Sequence, residues 1–257
     1  MSRPLVAIRG VSQRFGPDGA GVVALDGIDL EIPDGQFAAV VGPSGCGKST
    51  LLSLVAGLRR PSSGTVLCDG EPITGPMPRK VGMIFQEANL LPWLSALDNV
   101  AFPLKLRRVA RAERLPAARR MLTLTGLSGF EDRLPHQLSG GMKQRVAIAR
   151  GLVQDPAVLL MDEPFASLDE QTRMVLGDEL LRIWSETRKT VLFVTHSLNE
   201  AVYLADRVIV LSARPGRVVD DVTVDLPRPR TFAMTGGERF GALKDRIWRH
   251  IKHAERG

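Results

Sequence analysis

The segment GPSGCGKST, Gly42 to Thr50, has the residue types and the spacing of a phosphate-binding loop. Gly42, Gly47, Lys48 and Ser49 match the pattern GxxxxGK[ST], in which backbone N–H groups surround the phosphates of a nucleotide. The lysine ammonium reaches the outer two phosphates, and the serine hydroxyl is a ligand for magnesium. The alternative is a glycine turn with a solvated lysine, which the strand pattern before it and the helix pattern after it argue against.

Two carboxylates and two other polar residues follow apolar runs elsewhere in the chain. In VLLMDEP, Val158 to Pro164, an apolar run ends in Asp162, which can hold magnesium through water, and in Glu163, which can orient or deprotonate an attacking water. His196 ends VLFVTH and Gln86 ends KVGMIFQ in the same manner. Each of these two alone would pass for an ordinary polar residue, whereas paired carboxylates beside a phosphate loop indicate hydrolysis of a nucleotide.

A second anion-binding element is predicted in LPHQLSGGMKQRVAIARGL, Leu134 to Leu152. Ser139, Gly140 and Gly141 stand immediately before a helical pattern, and the first N–H groups of a helix have no partner within it. Together with the positive end of the helix dipole, these groups favour an anion. The chain therefore has two such elements, although one bound nucleotide requires only one.

The elements that position these residues alternate between strand and helix patterns. FAAVVG, Phe37 to Gly42, is an apolar strand that runs into the phosphate loop, and KSTLLSLVAGL follows as a helix that ends near Gly57. Further strands are predicted at TVLC, KVGMIF, AVLLMD, TVLFVT and RVIVLS. The later ones are nearly continuous apolar runs, typical of strands covered on both faces. The pattern predicts an α/β core, a mainly parallel sheet flanked by helices.

Other regions depart from this alternation. Short runs near the N-terminus, LVAIRG, GVVALDG and IDLEI, predict an antiparallel β subdomain. Between Gln86 and Ser139 the sequence becomes helical and arginine-rich, which predicts a helical subdomain of about 87–155 inserted in the α/β core. LPRPR, Leu226 to Arg230, is a candidate linker.

We expect a nucleotide-binding domain over 1–235 and a C-terminal amphipathic basic helix over 236–257. The apolar positions of that helix are Phe240, Leu243, Ile247 and Ile251. The apolar face either packs on its own domain or touches lipid headgroups.

Composition narrows the classes of protein. The 257 residues are 44% hydrophobic, enough for a substantial core, and the formal net charge of +6 does not by itself choose a partner. No apolar run approaches the roughly 18 residues of a membrane span, and MSRPLVAIRG lacks the apolar region of a signal peptide, so we expect a soluble protein made in the cytosol. The basic stretch from Arg107 to Arg120 is almost free of aromatic residues, so we expect no nucleic acid partner.

The cysteines point away from a disulfide or metal role. Cys46 and Cys68 provide neither a disulfide framework nor a CxxC spacing, which agrees with a reducing compartment. The simplest role for Cys46 is to fill space in the phosphate loop. The alternative is that its position near Lys48 and a helix N-terminus lowers the pKa of its thiol and makes it reactive.

The motifs GPSGCGKST, IFQ, LSGGMKQR, MDEPFASLD and VTHS occur in that order, and with them nearly the whole chain resembles the nucleotide-binding subunit of an ABC transporter. LSGG is the motif that separates these ATPases from other P-loop proteins. The resemblance implies a P-loop NTPase core and Mg²⁺ with ATP as the cofactor and nucleotide.

The resemblance also implies a role for each matching residue. ATP would be bound by Phe15, which stacks on adenine, and by Gly42, Pro43, Ser44, Gly45, Cys46, Gly47, Lys48, Ser49 and Thr50. Catalysis would depend on Lys48, on Gln86, on Glu163 as the base and on His196 at the γ-phosphate. Magnesium would be held by Ser49, Gln86 and, through water, Asp162. The partner subunit's ATP would be met by Ser139, Gly140, Gly141 and Asp169. The alternative for Phe15 is a core position on an early strand.

A dimer explains the two anion-binding elements. The phosphate loop already surrounds one triphosphate, so the second helix start is redundant unless it serves another ATP. A two-fold dimer provides that arrangement, because each patch then faces its complement on the partner. In the family, the signature motif closes on the nucleotide of the partner subunit.

A narrower resemblance is to the ATPase subunits of bacterial nitrate, sulfonate and taurine importers. It rests on FQEANLLPWLSALDNV, MDEPFASLDEQTR and HSLNEAVYLADRVIVLSARPGRV. Relatives often have arginine in place of Lys143 and glycine in place of Ala166, and neither change touches a phosphate directly. The apolar run from Leu90 to Leu94 is either buried core or a socket for a short permease helix.

That resemblance implies particular partners and a location. The partners are ATP, a second copy of the chain or a paralogue, an integral-membrane permease and, indirectly, a periplasmic or lipoprotein solute-binding protein. The location is the cytoplasmic side of the bacterial inner membrane, where the subunit is peripheral.

The alternative is an ABC-type ATPase of another importer group or of a non-transport process. DNA-repair members usually carry a long coiled coil between phosphate loop and signature, and no heptad segment occurs here. Ribosome-associated members normally have two cassettes in a chain, and exporters commonly have fused membrane spans. A module that binds nucleotide without hydrolysis is disfavoured by Glu163.

Overall fold

The computed structural model of the protein describes residues 4–16 and 21–254. These residues divide into two compact units: unit 1 comprises the described parts of Met1–Met77 and Arg188–Gly257, and unit 2 is Pro78–Thr187. Each unit contains parallel strands together with helices, so the predicted α/β class is confirmed. The predicted domain bounds, 1–235 and 236–257 with an insertion at about 87–155, stay a prediction.

The strands, in chain order, are β1 (Pro4–Phe15), β2 (Val22–Pro33), β3 (Phe37–Val41), β4 (Ser63–Cys68), β5 (Glu71–Pro72), β6 (Val81–Ile84), β7 (Val158–Asp162), β8 (Thr190–Val194), β9 (Arg207–Leu211) and β10 (Val218–Thr223). The helices are α1 (Lys48–Val55), α2 (Ala96–Leu106), α3 (Arg111–Leu124), α4 (Gly140–Leu152), α5 (Glu170–Thr187), α6 (Leu198–Leu204) and α7 (Glu238–Ala254). Short 3₁₀ turns lie at Pro135–Gln137 and Phe232–Gly236. None of the helices in the described ranges has the length and apolar character needed to span a bilayer.

Unit 1 begins with the predicted antiparallel sheet, in the strand order β2-β1-β4-β5. The runs GVVALDG and IDLEI form one strand, β2, in which Gly27 adopts a φ of 59° where the pairing with β1 is irregular. The run TVLC, which we grouped with the core strands, lies in β4 and pairs with β1, for example Cys68 with Val6. The first three residues of β4 are exposed, whereas Val66 and Cys68 are buried, so this strand lacks the continuous burial of the core strands.

Unit 1 also contains the strand that leads into the phosphate loop, in the order β10-β9-β3-β8. β3 is parallel to both β8 and β9, and every residue of β3 and β8 is buried, which explains their continuous apolar sequence. β10 is antiparallel to β9 and was not predicted, because Asp220 and Asp221 interrupt its apolar pattern.

The C-terminal helix α7 packs on unit 1 through its apolar face. Phe240, Ile247 and Ile251 are buried, and α7 contacts α6, β9 and β10. Its basic side is tied to the same unit, since Arg246 donates two hydrogen bonds to Asp220 at 2.9 and 3.0 Å. Of the two alternatives for the apolar face of α7, the structure therefore shows the one in which this face packs on its own domain.

The segment from Leu226 to Arg230 is an anchor and not the predicted linker. Arg230 is only 7% exposed, and its guanidinium donates to the carbonyl oxygens of Val202, Tyr203 and Ala205 at 2.7 to 3.1 Å. Burial lowers the pKa of Arg230 to about 10. Because the last carbonyls of a helix have no partner within it, these bonds fix the segment to the end of α6.

Unit 2 contains the parallel pair β6 and β7 together with the predicted helical region. α2, α3 and α4 share a hydrophobic core whose fully buried members include Val100, Leu122 and Val146. α2 and α3 are separate helices, and between them Arg108 adopts a φ of 60°. α5 follows β7 and contacts α4, so the start of α4 is held by helices on more than one side.

Candidate active site

The phosphate loop lies between a buried strand and a helix without a side-chain cap. β3 ends at Val41, and α1 begins at Lys48 after Gly47, which adopts a φ of 105°. A Cβ at Gly47 would lie 2.6 Å from Cδ2 of Leu25 and 2.9 Å from the carbonyl oxygen of Ala24, so only glycine fits. No side chain caps α1 and none in its first turn is acidic, which leaves its first amide groups for a bound anion.

The ammonium group of Lys48 lies over the start of the loop. Lys48 is 7% exposed, and its Nζ donates to the carbonyl oxygens of Gly42 at 2.8 Å and Pro43 at 2.9 Å. These two hydrogen bonds hold the ammonium group of Lys48 over the first residues of the loop. Ser49 lies in the first turn of α1, and its side chain is exposed. The loop therefore offers a cation and helix amides for a phosphate chain.

The thiol of Cys46 is a buried spacer. Its Sγ is 3.8 Å from Nζ of Lys48, and the residue is fully buried. Burial raises the pKa of the Cys46 thiol, and the nearby Lys48 charge only opposes that increase. The prediction of a lowered pKa was therefore wrong, because it counted the charge and not the burial.

His196 lies at the sheet edge from which the phosphate loop starts. Val194 of β8 pairs with Val40 of β3, and the N–H of Thr195 donates to the carbonyl of Val40 at 3.3 Å. Thr195 is buried and accepts a hydrogen bond from the N–H of Ser197 at 3.0 Å. The exposed His196 therefore follows a fixed residue, and it comes two residues after Val194 just as Gly42 comes two residues after the paired Val40.

Phe15 lies at the end of β1 and is half-buried, so the core alternative does not describe it. The guanidinium of Arg59 stacks over the ring with Cζ 4.6 Å from the centroid. Arg59 is held there because the segment after α1 is bonded to β1: the N–H of Ser62 donates to the carbonyl of Ser12 at 2.9 Å. One face of the ring is therefore covered by a cation that the sequence did not indicate.

Within unit 1, a turn between β9 and β10, residues 212–217, packs against the phosphate loop. The N–H of Gly216 donates to the carbonyl of Ala24 at 2.9 Å, and the guanidinium of Arg214 donates to the carbonyl of Gly45 at 3.2 and 3.3 Å. A Cβ at Gly216 would lie 2.1 Å from the carbonyl oxygen of Cys46. The turn therefore touches the loop backbone at two successive residues.

In unit 2, Gln86 and the two carboxylates lie at or just after the ends of paired strands. Ile84 of β6 pairs with Met161 of β7, and Gln86 and Glu163 each come two residues later. Glu163 adopts a φ of 46°, an uncommon conformation for a non-glycine residue that turns the chain directly after the strand. Asp162 is the last residue of β7. Because the strands are parallel, these side chains start from the same edge of the unit 2 strand pair.

The predicted second anion-binding element is the start of α4. Ser139 is its N-cap, and its Oγ accepts a hydrogen bond from the N–H of Met142 at 3.3 Å. The N–H of Met142, which we counted as available to an anion, is therefore used by the cap. Gly140 and Gly141 are the first two helical residues, and their N–H groups point out of the end of the helix. A Cβ at Gly141 would lie 2.8 Å from Cγ2 of Thr172, so glycine allows the close approach of α4 to α5.

Asp169 has a local structural partner next to this helix start. Its carboxylate accepts from the N–H and the hydroxyl of Thr172 at 2.9 and 2.7 Å, and these bonds lower the pKa of Asp169. Thr172 also contacts the Gly141 position, as described above. The structure therefore brings Ser139, Gly141 and Asp169 into one region of unit 2, and Asp169 stays ionised there at neutral pH.

Comparison with known proteins decides the family. A family model described as ABC transporter matches residues 25–166. The nitrate import ATP-binding protein NrtD of Synechocystis is 46% identical to the chain, over 88% of it and 87% of NrtD. The aliphatic sulfonates import ATP-binding protein SsuB of Bacillus cereus is 42% identical, over 98% of the chain and 96% of SsuB.

The chain belongs to the ABC transporter family. It is an ABC-type ATP hydrolase, and the resemblance that the motifs indicated is confirmed. A solved dimeric ATP-binding cassette, MJ0796 in a post-hydrolysis state bound to ADP and Pi, matches the fold with a TM-score of 0.75 and 33% identity. The match covers 86% of this chain and 100% of that one. The roles of the individual site residues stay predictions.

Sequence reasoning missed three supports of this ABC ATPase site. They are the 212–217 turn, Arg59 over Phe15, and the half-buried Arg150, whose guanidinium donates to the carbonyls of Ala88 and Asn89. The only signal in the sequence was the PGR tripeptide, in which a proline and a glycine mark a turn. The residues that a turn touches elsewhere in the chain leave no pattern of their own.

Replacement of Gly216 by alanine should weaken ATP binding. The new Cβ would meet the Cys46 carbonyl at 2.1 Å, and both partners are backbone, so the phosphate loop must shift. Forcing an extra carbon into packed structure costs about 1–3 kcal/mol, which corresponds to a Kd about 5- to 150-fold higher if the whole cost falls on the nucleotide-bound loop. Titration with a fluorescent ATP analogue measures the change, with thermal unfolding measured in parallel.

Gly241→Ala is the matched control for this prediction. Gly241 lies in α7, and nothing lies within 4 Å of a Cβ placed there. Alanine is also favoured over glycine inside a helix, so this variant should bind ATP as the parent does. Unchanged affinity in Gly216→Ala would contradict the bracing role of the turn.

Proposed function

We propose that this ABC ATPase is the energy-supplying subunit of an importer, and that it hydrolyses Mg²⁺-bound ATP at the interface of a two-fold dimer. The observation that carries the proposal is the pair of helix starts: α1 follows a complete phosphate loop, and α4 presents Gly140 and Gly141 as a second anion-binding start. One nucleotide uses the first. The second is explained by a nucleotide of the partner subunit.

The residues of unit 1 bind the nucleotide in this proposal. The amide groups of the phosphate loop and of the start of α1 surround the phosphates, and Lys48 meets the outer two. The face of the Phe15 ring opposite Arg59 stacks on adenine. His196, held at the carboxyl end of β8, donates to the γ-phosphate as its charge grows during bond cleavage.

Magnesium fits the donor set of the predicted ligands. Ser49 offers a hydroxyl, Gln86 an amide oxygen and Asp162 a carboxylate through water, and Mg²⁺ prefers such oxygen ligands, with phosphate oxygens and water completing its shell. When bound, the ion neutralises charge on the β- and γ-phosphates. Glu163 takes the proton of the attacking water, and Gln86 orients that water.

The partner subunit completes the site in this proposal. Ser139 and the amide groups of Gly140 and Gly141 donate to the γ-phosphate held by the other chain. Asp169 lies in the same region as this helix start, next to Thr172. Both pairs of contacts form together in a closed dimer because of the two-fold symmetry. The solved cassette with ADP and Pi, which is dimeric, supports this arrangement.

The partner in the membrane is a permease that docks beside Gln86. In the apolar run that follows Gln86, Leu90 packs against the helical core, whereas Trp93 is 72% exposed. Phe85 is 41% exposed next to Gln86. Leu90 is therefore part of the core, as the first alternative predicted. The exposed Trp93 supports the second alternative, a socket for a short permease helix.

The names of the relatives support import as the direction of transport, and they indicate the class of solute. NrtD is named for nitrate import and SsuB for aliphatic sulfonates import. We therefore propose nitrate, a sulfonate, taurine or a similar small solute, delivered by a binding protein outside the membrane. The subunit would lie at the cytoplasmic side of a bacterial inner membrane. An ABC ATPase of another importer group or of a non-transport process is the alternative.

Co-expression and co-purification with a candidate permease of the nitrate or sulfonate importer group test the proposal. Trp93→Asp should abolish recovery of the permease with the tagged ATPase, because it places a charge in the exposed apolar socket. Proteoliposomes that contain the complex should accumulate nitrate or an alkanesulfonate only with ATP on the side of this subunit. ATPase activity of the isolated Trp93→Asp subunit should be unchanged.

Trp248→Asp is the matched control, because Trp248 is also an exposed tryptophan, 52% accessible, but lies in α7. It should retain the permease. Retention of the permease by Trp93→Asp would refute the socket, and absence of ATP-driven uptake with an intact complex would favour the alternative functions.

A further inference from the structure

The excess positive charge of the chain lies in one helical hairpin of unit 2. Residues 105–120, at the end of α2 and along α3, contain seven basic residues and one carboxylate, Glu113. Their formal excess of six positive charges equals the net charge of +6 of the whole chain, so the charges of all other residues balance. We call the exposed basic residues of this hairpin the hairpin patch: Lys105, Arg107, Arg108, Arg111, Arg119 and Arg120.

The side chains of the hairpin patch have no ion-pair partner within residues 4–16 and 21–254. Other arginines of the chain do pair with carboxylates, for example Arg145 with Glu179 at 2.8 Å in unit 2 and Arg246 with Asp220 at 2.9 Å in unit 1. Crowded charges of one sign create a positive potential that attracts anionic partners. The composition of the patch therefore points to a ligand with many negative charges.

The hairpin that carries the patch is firmly folded. At its turn Arg108 adopts a φ of 60°, its N–H donates to the carbonyl of Lys105 at 2.9 Å, and the N–H of Val109 donates to that of Leu104 at 3.0 Å. The guanidinium of Arg114 donates back to the carbonyl of Val109 at 3.1 Å. The inner sides of α2 and α3 share the hydrophobic core of unit 2. The patch is therefore presented on the outer side of a packed element.

An exposed leucine lies within the patch. Leu106 is 69% exposed and stands between Lys105 and Arg107 at the end of α2. An apolar side chain among basic ones is typical of surfaces that bind lipid headgroups, because the apolar group enters the interface while the cations meet phosphates. Residues 105–120 contain no aromatic side chain on which a nucleic acid base could stack. The patch therefore matches an anionic membrane surface better than a nucleic acid.

The hairpin also lies next to the proposed permease socket. α2 begins at Ala96, three residues after Trp93, and its 11 residues span about 16 Å at about 1.5 Å per residue. A permease that docks at Trp93 is embedded in the bilayer. Lipid headgroups around it would therefore be within reach of long side chains at the far end of α2.

We propose that the hairpin patch binds the anionic lipid headgroups of the membrane, with Leu106 entering the headgroup region. The proposal rests on the peripheral membrane location proposed above, and it adds a contact that does not depend on the permease. Each basic residue near an anionic surface strengthens binding about fivefold, so the patch provides a reversible attachment. Attachment to lipid raises the effective concentration of the subunit beside its permease.

Co-sedimentation of the isolated, full-length subunit with lipid vesicles tests the patch. Vesicles of phosphatidylcholine with about 30% phosphatidylglycerol should bind the protein at least about tenfold more tightly than vesicles of phosphatidylcholine alone. The difference should disappear at about 1 M salt, where the screening length falls to about 3 Å.

Two variants of the hairpin separate its charge from its apolar residue. Arg107→Glu combined with Arg111→Glu should weaken binding to the anionic vesicles about 25-fold or more, because two attractive charges are replaced by repulsive ones. Leu106→Ala should weaken it about three- to tenfold, because less apolar surface enters the interface. The isolated proteins should keep the basal ATPase activity of the parent, since these residues have no part in the proposed nucleotide site.

Two matched controls lie outside the hairpin. Arg249→Glu combined with Lys252→Glu gives the same net charge as the double arginine variant, and both residues are exposed in α7 of unit 1. Val175→Ala removes apolar surface from α5, where Val175 is 56% exposed. Both controls should bind anionic vesicles as the parent does.

Three results would overturn the proposal. They are equal binding of the parent to the two kinds of vesicle, an equal loss of binding in the α7 control, or tighter binding to single-stranded RNA than to vesicles, which would indicate a nucleic acid partner. Failure of the importer proposal is a separate result, because it appears in permease recovery and uptake, which do not enter the vesicle assay. If the Arg107 and Arg111 variant does not fold, Arg119→Glu combined with Arg120→Glu carries the same measurement.

Discussion

Substitution of Glu163 by glutamine should lower kcat by about 10²- to 10⁴-fold, which is about 3–5 kcal/mol of activation free energy. Glutamine is nearly isosteric with glutamate, but it cannot take a proton from water. Glu163 follows β7 in a strained turn with a φ of 46°, and glutamine can keep that backbone because only the terminal group changes. Phosphate release under saturating ATP measures the change.

ATP binding should survive this substitution. The groups that hold the phosphates in our proposal, Lys48 and the amide groups around Gly47, lie in the phosphate loop and are unchanged. Glu113→Gln, in the first turn of α3, is the control for loss of one exposed carboxylate and should keep full activity. If the Glu163→Gln protein had the parental kcat, Glu163 would not be the general base. If it no longer bound ATP, the carboxylate would have a structural role.

The local parts of the site could be predicted from the sequence. The pattern of Gly42 to Ser49 specifies its own strand, loop and helix within about twenty residues, and the structure has β3, the loop and α1 in that order. Gln86, Glu163 and His196 follow β-type apolar runs, so their placement at strand ends follows from chain order alone. Parallel pairing of β6 with β7 and of β3 with β8 then brings them to common edges.

The supports of the site could not be predicted, because they join residues that are distant in sequence. Arg214 and Gly45 are separated by 169 residues, and Arg150 and Asn89 by 61. An arginine that donates to a main-chain carbonyl imposes no requirement on the partner's side chain, so the partner leaves no motif. Burial has the same property, which is why the charge near Cys46 could be read from the sequence and the desolvation of its thiol could not.

The number of unpaired N–H groups at the start of α4 could not be predicted from the sequence either. The sequence indicated a helix start with unpaired N–H groups, but a serine before a helix is also a common N-cap. Ser139 uses its hydroxyl oxygen on the N–H of Met142. Its hydroxyl hydrogen remains available as a donor, so Ser139 can cap its own helix and meet a phosphate at the same time.

Substitution of Ser139 by arginine in the Glu163→Gln protein should abolish ATP-dependent dimerisation. With hydrolysis blocked, subunits with ATP and magnesium should accumulate as closed dimers around two nucleotides, because the signature meets a phosphate only in that state. An arginine at the start of α4 removes the cap and fills the space that the partner's γ-phosphate needs. Light scattering after size exclusion distinguishes dimer from monomer, and ATP bound to the monomer should remain.

Ser95→Arg in the same background separates loss of a cap from loss of a partner contact. Ser95 caps α2 as Ser139 caps α4, accepting from the N–H of Asp98 at 3.1 Å, and removal of such a cap costs about 1 kcal/mol in stability. Ser95 has no part in the proposed ATP contact, so this protein should still dimerise with ATP. Dimerisation of the Ser139→Arg protein, or loss of ATP from its monomer, would contradict a role for Ser139 at the partner's nucleotide.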